Sequence, residues 1–383
     1  MSKQQQYIAL MACMLVTFVL GSVHAFSVFL VALEQVLDAS RSRISLIYSL
    51  ALVFITLTVL IGHRIYTSAS PAVIVASACI GAAAGLWIAS GMANWWWLLL
   101  GYSVLFGCAN GVGYGFTLQL SARVMPEYKG FAMGAVTAAY AVGSILFALV
   151  LSALTETQSV GLAFRLMAVI LIVAGLISGF MIANSRAAYT VDRAALSTAK
   201  VETSTVAVFW LCYFSSVFAG LMAIGHAAGI VLAKGGATDT AVMGAMVVGI
   251  GSGAGGFLIG WCLDRWPLKR FLIGLPVLSA IALIALLWIK QLSVLILVMG
   301  IIGFSYGSII AVYPYAISRR FGDRLGPKIY GQVFTAWGLA GLAAPWLAGI
   351  LFDLNGNYTM AMLSAATIAL GSALAVLWSG IAE

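Results

Sequence analysis

Acidic side chains are scarce in this chain: there are eleven Asp and Glu in 383 residues, and none interrupts an apolar run. That removes a membrane-embedded carboxylate as a proton carrier. With no nucleophile, base and orienting carboxylate falling together, it also argues against an enzyme. Cysteine is equally sparse. Cys13, Cys79, Cys108, Cys212 and Cys262 stand singly in apolar stretches, without paired spacing or loop placement. A disulfide framework and a thiolate metal site are both excluded by that pattern, which leaves core packing as their role. No basic run resembles a nucleic-acid patch, so nucleic acid is not an expected partner and the net charge of +8 needs another origin. Long polar stretches are missing too, so little chain is left for a soluble domain or tail of the kind that a transport-inactive sensor on a membrane scaffold would carry.

What the chain has instead is apolar length. Hydrophobic residues make up 63% and charged residues 8%. About 20 apolar residues are needed to cross a bilayer, and a charge at the centre of such a segment costs several kcal/mol. Twelve runs meet the requirement, centred in 7–33, 44–64, 71–91, 96–120, 132–153, 162–184, 205–232, 240–262, 271–289, 293–317, 331–352 and 358–381. The first is too long for a signal-peptide core and lacks a small-residue cleavage pattern, so it is expected to be retained as a span.

The positions of Lys and Arg orient these runs, because cytoplasmic loops carry the excess. With the N-terminus inside, only Arg41, Arg43, Arg165, Lys234 and Lys290 of the nineteen Lys and Arg face outward. Both termini are therefore expected in the cytoplasm and the span count is expected to be even. The positive charge follows from topology and contact with membrane lipids, and the expected location is the inner (plasma) membrane.

Residues 185–203 form the longest polar stretch, with six runs on either side. The two sides also resemble each other, as an internal duplication would require. Gly134-Ala-Val-Thr-Ala-Ala-Tyr140 in the fifth run matches Gly331-Gln-Val-Phe-Thr-Ala-Trp337 in the eleventh. His24-Ala25 in the first matches His226-Ala227 in the seventh, and Gly62-His63-Arg64 sits where Gly260-Trp-Cys-Leu-Asp264-Arg265 sits in the second half. The organisation expected is an all-α membrane protein of twelve transmembrane helices in two six-helix bundles, residues 1–184 and 204–383, joined by a cytoplasmic linker over 185–203. A substrate site is expected between the bundles near the midplane, with alternating access by rocking.

Gly260-x-x-x-Asp264-Arg265-x-x-x-Lys269-Arg270 resembles the loop signature of the major facilitator superfamily. The first copy of that signature, after the second run, is degraded here, with Tyr66 in place of the Asp. Asp264, Arg265, Lys269 and Arg270 are accordingly candidates for a conformational gate, because charges on a cytoplasmic turn can pair between helices or cap one. The alternative is a solvated positive loop. Within that superfamily the chain is similar to the oxalate/formate antiporter and monocarboxylate transporter group. The similarity rests on His24-Ala-Phe-Ser-Val-Phe with Ser40-Arg-Ser-Arg43, on Phe209-Trp210-Leu-Cys-Tyr213 leading to Gly220-Leu-Met222, and on Tyr330-Gly331-Gln-Val-Phe-Thr-Ala with Phe352-Asp353. The resemblance implies a small carboxylate as cargo. Carboxylate carriers of that group place an Arg in the eighth span, where this chain has Gly256, and the antiporters add a Lys in the eleventh, where it has Trp337. An anion in a low-dielectric cavity needs a cation or strong donors, and both of these cations are replaced.

The candidate site is therefore built from neutral groups. His24 and His226 are the ionisable residues of near-neutral pKa within the runs, and could carry protons or donate to a carboxylate; hydrogen-bonded packing is the alternative. Tyr140 and Trp337, at equivalent places, would form an aromatic floor suited to planar or apolar solutes. Asn110, Tyr114 and Gln119 in the fourth run, with Tyr306 and Tyr313 in the tenth, supply neutral donors and acceptors. Tyr313-Pro314-Tyr315 is expected to kink the tenth run. Gly107, Gly111 and Gly115, and the crowd from Gly251 to Gly260, are expected to let helices approach closely. Met222, His226, Met243 and Met246 offer soft ligands for a Cu(I) importer, with packing as the alternative. The function expected is secondary transport of a small organic solute, most directly a monocarboxylate-like metabolite. The alternatives are a neutral aromatic or vitamin-like solute, or Cu(I). The carrier is expected to be a monomer without a cofactor, with His24 and His226 as the candidates for proton coupling and facilitated diffusion or exchange as the alternative.

Overall fold

A computed structural model describes residues 1–39, 41–91, 94–157, 160–190 and 202–379, and they form an all-α protein. The side chains of Arg41, Arg43 and Asp353, and residues 191–201 of the expected linker, lie outside the described residues. Eleven helices are long and apolar enough to cross a membrane. Nine separate spans precede the last pair of helices: Lys3–Phe26, Leu46–Ile65, Pro71–Ser90, Trp95–Val124, Pro126–Val150, Val160–Ser185, Thr203–Ala233, Thr240–Leu263 and Leu268–Trp288. Helical structure over Leu292–Asn355, 64 residues, follows, and Thr359–Ser379 is the last helix. At 1.5 Å per residue, 64 residues would reach about 96 Å, roughly three times the hydrocarbon thickness. The helix therefore holds two spans, the tenth and eleventh. They divide at Gly322, whose φ of 67° and ψ of −179° only glycine adopts readily. The loop expected over this stretch is thus helical on both sides of one glycine, and Pro314 lies within the helix of the tenth span.

Local sequence sets the helix ends. Ser2 and Gln5 form a capping box at the first span. The Asn94 side chain accepts from the backbone N–H groups of Trp96 and Trp97 to start the fourth. Pro71 stands in the first turn of the third span, and Gly356 closes the eleventh in the left-handed region. Exposed tryptophans stand near span ends, Trp87, Trp96 and Trp97 in the first half and Trp261, Trp266, Trp288 and Trp378 in the second. Amphipathic rings favour the interfacial levels of a bilayer.

Two spans depart from α-helical geometry. The first is α-helical over Lys3–Leu20 but tightens to a 3-10 helix over Gly21–Phe29. The fourth is wound as a π-helix over Leu99–Phe106 before becoming α-helical at Gly107. Each departure is held by side chains of the first half. Tyr102 donates to the Val23 carbonyl at 2.9 Å and Ser103 donates to the Ile47 carbonyl at 2.7 Å. The seventh span is broken at one residue, His226, with φ −120° and ψ 15°.

The chain groups into two compact units, Met1–Ala132 with Ala139–Asp192, and Met133–Ala138 with Arg193–Glu383. In the first unit the fourth-span glycines face the second span. A Cβ on Gly107 would lie 2.8 Å from the Ala51 carbonyl oxygen, one on Gly111 2.9 Å from Ile55 Cα, and one on Gly115 3.3 Å from Val59. The second unit repeats this between the eighth and tenth spans. There a Cβ on Gly255 would lie 2.8 Å from the Phe304 carbonyl carbon, and one on Gly307 2.7 Å from Ser252 Cα. Backbone meets backbone at both crossings, as small residues spaced by four allow.

Candidate functional site

The 3-10 segment carries His24 into a cluster of aromatic and amide groups in the first unit. His24 Nδ1 lies 2.6 Å from the Tyr48 hydroxyl. Its ring meets Tyr140 edge-on, with centroids 5.5 Å apart. Tyr140 in turn packs against Tyr114 at 5.1 Å and donates its hydroxyl proton to Asn110 Oδ1 at 3.1 Å. Asn110 is fully buried and donates from Nδ2 to the Leu20 carbonyl at 2.7 Å, where the first span leaves the α-helix. Four residues expected at the site, His24, Asn110, Tyr114 and Tyr140, are therefore brought together. Tyr48 joins them; its aromatic hydroxyl in an apolar run was the signal available for it. His24, Tyr48 and Tyr140 stay half-buried, whereas Asn110 and Tyr114 are buried behind them.

Gln119 does not join. It is buried nine residues beyond Asn110, about half a turn around the helix, and so occupies the opposite face.

The second unit repeats part of the arrangement. Trp337 Nε1 donates to the Tyr306 hydroxyl at 2.9 Å, linking the eleventh and tenth spans as Tyr140 and Asn110 link the fifth and fourth. Trp337 also stacks on Phe334 at 5.0 Å and is buried. Its N–H is thus spent inside the protein, and a Trp337→Phe variant keeps the stacked ring while losing one buried hydrogen bond. A loss of about 1 kcal/mol, or a fall of about a degree or two in Tm, is expected, measured by thermal unfolding of the purified protein. Tyr313 is buried deeper. It stacks on Tyr213 at 4.4 Å, and its hydroxyl lies 3.2 Å from Ser216, which itself meets Ser372 at 2.7 Å. That knot ties the seventh, tenth and twelfth spans.

His226 differs from its sequence twin. Its Nε2 lies 2.8 Å from the Pro345 carbonyl and its Nδ1 3.1 Å from the Tyr358 hydroxyl. A carbonyl oxygen only accepts, so Nε2 carries the proton. In the neutral ring Nδ1 then accepts from Tyr358. Both nitrogens are engaged at the break in the seventh span. Of the soft-ligand set, Met222 is buried, Met246 half-buried and Met243 56% exposed, and both nitrogens of the His226 imidazole already have partners.

The two copies of the loop signature have different chemistry. In the second unit Asp264 follows the eighth span directly, and the exposed Arg265 donates from Nη1 to the Trp261 carbonyl at 2.8 Å with its guanidinium 3.9 Å above the Trp261 ring. Asp264 lies near Tyr315 of the tenth span. Lys269 is half-buried and Arg270 exposed. In the first unit Tyr66, standing where the Asp would be, is buried against Phe116 at 5.4 Å and Tyr189 at 6.0 Å. Arg123 sits 3.8 Å above the Tyr189 ring and donates to the Thr190 carbonyl at 2.7 Å. The missing carboxylate is thus replaced by an aromatic cluster that takes in the chain just beyond the sixth span.

Comparison with known proteins agrees with this architecture. A family model described as Major Facilitator Superfamily matches residues 10–345. The chain is 22% identical over 349 residues to the "Uncharacterized MFS-type transporter YhjX" of Escherichia coli (strain K12), covering 89% of this chain and 87% of that one. It is 23% identical over 304 residues to the "Oxalate:formate antiporter" of Oxalobacter formigenes, covering 76% and 71%. Among solved structures, the proton:xylose symporter XylE bound to 6-bromo-6-deoxy-D-glucose superposes with a TM-score of 0.78 at 12% identity, covering 100% of this chain and 97% of that one. FucP in the outward conformation gives 0.73 at 15% identity, covering 98% and 99%.

Proposed function

The chain belongs to the Major Facilitator Superfamily, a family of transporters and not of enzymes, and we propose that it carries a monocarboxylate-like metabolite across the inner membrane by alternating access, together with a proton. The observation that carries this reading is the cluster in which the half-buried His24, Tyr48 and Tyr140 bring an imidazole and phenol groups together, held from behind by the buried Tyr114 and Asn110. Such donors can satisfy a carboxylate without a resident Arg or Lys, provided that a proton accompanies it. One relative is named for oxalate and formate, which supports a small carboxylate as the chemical class. With Gly256 and Trp337 at the positions of the group's cations, a dianion such as oxalate is disfavoured and a singly charged or protonated acid is favoured. Both termini face the cytoplasm in this reading, as the Lys and Arg distribution requires.

A neutral aromatic solute is the second reading, supported by the Phe334 and Trp337 stack in the second unit. The two are separated by a thermal-shift screen of the purified protein against formate, pyruvate, oxalate and nicotinamide at pH 5.5 and 7.5. Stabilisation by the monocarboxylates, stronger at the acid pH, is expected. A response confined to nicotinamide would replace the first reading with the second.

A further inference from the structure

The two histidines that the duplication places in matching positions are not equivalent in their bonding. Both are half-buried and both stand where a span departs from the α-helix. His226 has each ring nitrogen held, by Pro345 on the eleventh span and by Tyr358 at the start of the twelfth. His24 has one hydrogen bond among the described residues, from Nδ1 to Tyr48 on the second span. Whichever atom carries that proton, Nδ1 is occupied and Nε2 is the nitrogen left over.

Among the described residues, the groups facing His24 are neutral. They are the Tyr48 hydroxyl from the second span and the Tyr140 ring from the fifth, with Tyr102 and Tyr114 of the fourth span packed one ring further out, on Phe26 and on Tyr140. No Asp, Glu, Lys or Arg of the described residues is shown hydrogen-bonded to His24 or stacked on it. An imidazole in such surroundings exchanges protons and hydrogen bonds only through its open nitrogen, and that nitrogen's direction is set by whatever holds the other one.

We propose that Tyr48 is a positioning residue that fixes His24 by its Nδ1 and leaves Nε2 as the exchanging nitrogen of the transport site, while His226 is a pin for the broken seventh span and takes no part in exchange. The proposal rests on the reading that His24 faces the solute. It also goes beyond the sequence, in which the pair looks symmetric and Tyr48 carries no distinguishing motif.

The test uses the full-length protein in lipid nanodiscs and needs no transported solute. Diethylpyrocarbonate is added at pH 7, and modification of each histidine is followed by peptide mass spectrometry. His24 is expected to react about tenfold faster than His226, whose reaction requires a hydrogen bond to break first. Tyr48→Phe, by freeing the second nitrogen, is expected to raise the His24 rate about fivefold and leave His226 unchanged, whereas Tyr358→Phe raises only the His226 rate. Equal rates in the wild type, or a His24 rate indifferent to Tyr48→Phe, would overturn the proposal even if monocarboxylate uptake is found.

A second arm measures pyruvate uptake by proteoliposomes across pH. Tyr48→Phe is expected to displace the pH profile while His226→Gln lowers Tm and leaves the profile in place. A displaced profile in His226→Gln with none in Tyr48→Phe would reverse the assignment. If no carboxylate is taken up at all, the proposed cargo fails, and the labelling result still decides the roles of the two histidines.

Discussion

Asn110→Leu is expected to reduce solute uptake about tenfold or more, the largest functional loss from a single side chain in the first unit. Asn110 is fully buried and does two jobs, donating to the Leu20 carbonyl at 2.7 Å and accepting from Tyr140 at 3.1 Å. Leucine is close in size, so no cavity opens, but a carbonyl and a hydroxyl each lose this partner in a low-dielectric interior. Each such loss costs about 1–3 kcal/mol. The first is at the residue where the first span passes into its 3-10 segment, and the second is on the ring against which His24 packs. Both displacements reach the proposed solute cluster. Asn110→Asp discriminates between the two bonds, since it keeps an acceptor for Tyr140 and loses the donor to Leu20. If the hold on the first span dominates, the Asp variant is as poor as the Leu variant. The checks are initial rates of pyruvate uptake in proteoliposomes and the Tm of each purified variant; wild-type rates in Asn110→Leu would remove this residue from the site.

Gly255→Leu is expected to abolish folded protein, whereas Gly274→Leu is expected to leave it near the wild-type yield. The substitution is the same and both glycines are in helices, so intrinsic propensity does not separate them. Space does. At Gly255 a Cβ would lie 2.7 Å from Ser308 Oγ and 2.8 Å from the Phe304 carbonyl carbon, and backbone cannot swing aside as a flexible side-chain tip can. A leucine there forces the eighth and tenth spans apart along a crossing that also includes Gly251, Gly303 and Gly307. Overpacking of this kind costs at least 1–3 kcal/mol locally and more where several close contacts are lost together, roughly comparable with the whole margin of stability. At Gly274 nothing lies within 4 Å of a Cβ. The yields of monodisperse protein after detergent extraction decide the matter: comparable yields from the two variants would show that the crossing is looser than its geometry indicates.

The fourth-span glycines and the eighth-span crowd were readable because spacing by four puts small residues on one helical face, although not which span would fill that face. The second and tenth spans supply the partners, through Ala51, Ile55 and Val59 in one unit and Phe304 and Ser308 in the other. His24, Asn110, Tyr114 and Tyr140 were legible as polar or aromatic residues held in apolar runs. Gln119 was chosen on the same ground and lies on the opposite face, since polarity in a span does not by itself state direction. Tyr66 illustrates the reverse case. The degraded loop signature was evident, but its replacement by Phe116 and Arg123 of the fourth span and Tyr189 beyond the sixth draws on two distant parts of the chain.

Membrane class, the number of spans and the internal duplication were determined by the sequence alone, because apolar length and the placement of charge are properties of contiguous chain that the bilayer reads directly. The 3-10 and π segments, the single-glycine break at Gly322 between the tenth and eleventh spans, and the unequal bonding of His24 and His226 were decided only by the tertiary structure. The physical reason is that each rests on a particular group arriving from elsewhere. The Asn110 amide meets a carbonyl 90 residues away, and the Pro345 carbonyl meets an imidazole 119 residues away. A buried polar group takes whichever partner the packing delivers, and no local pattern of residues specifies that partner.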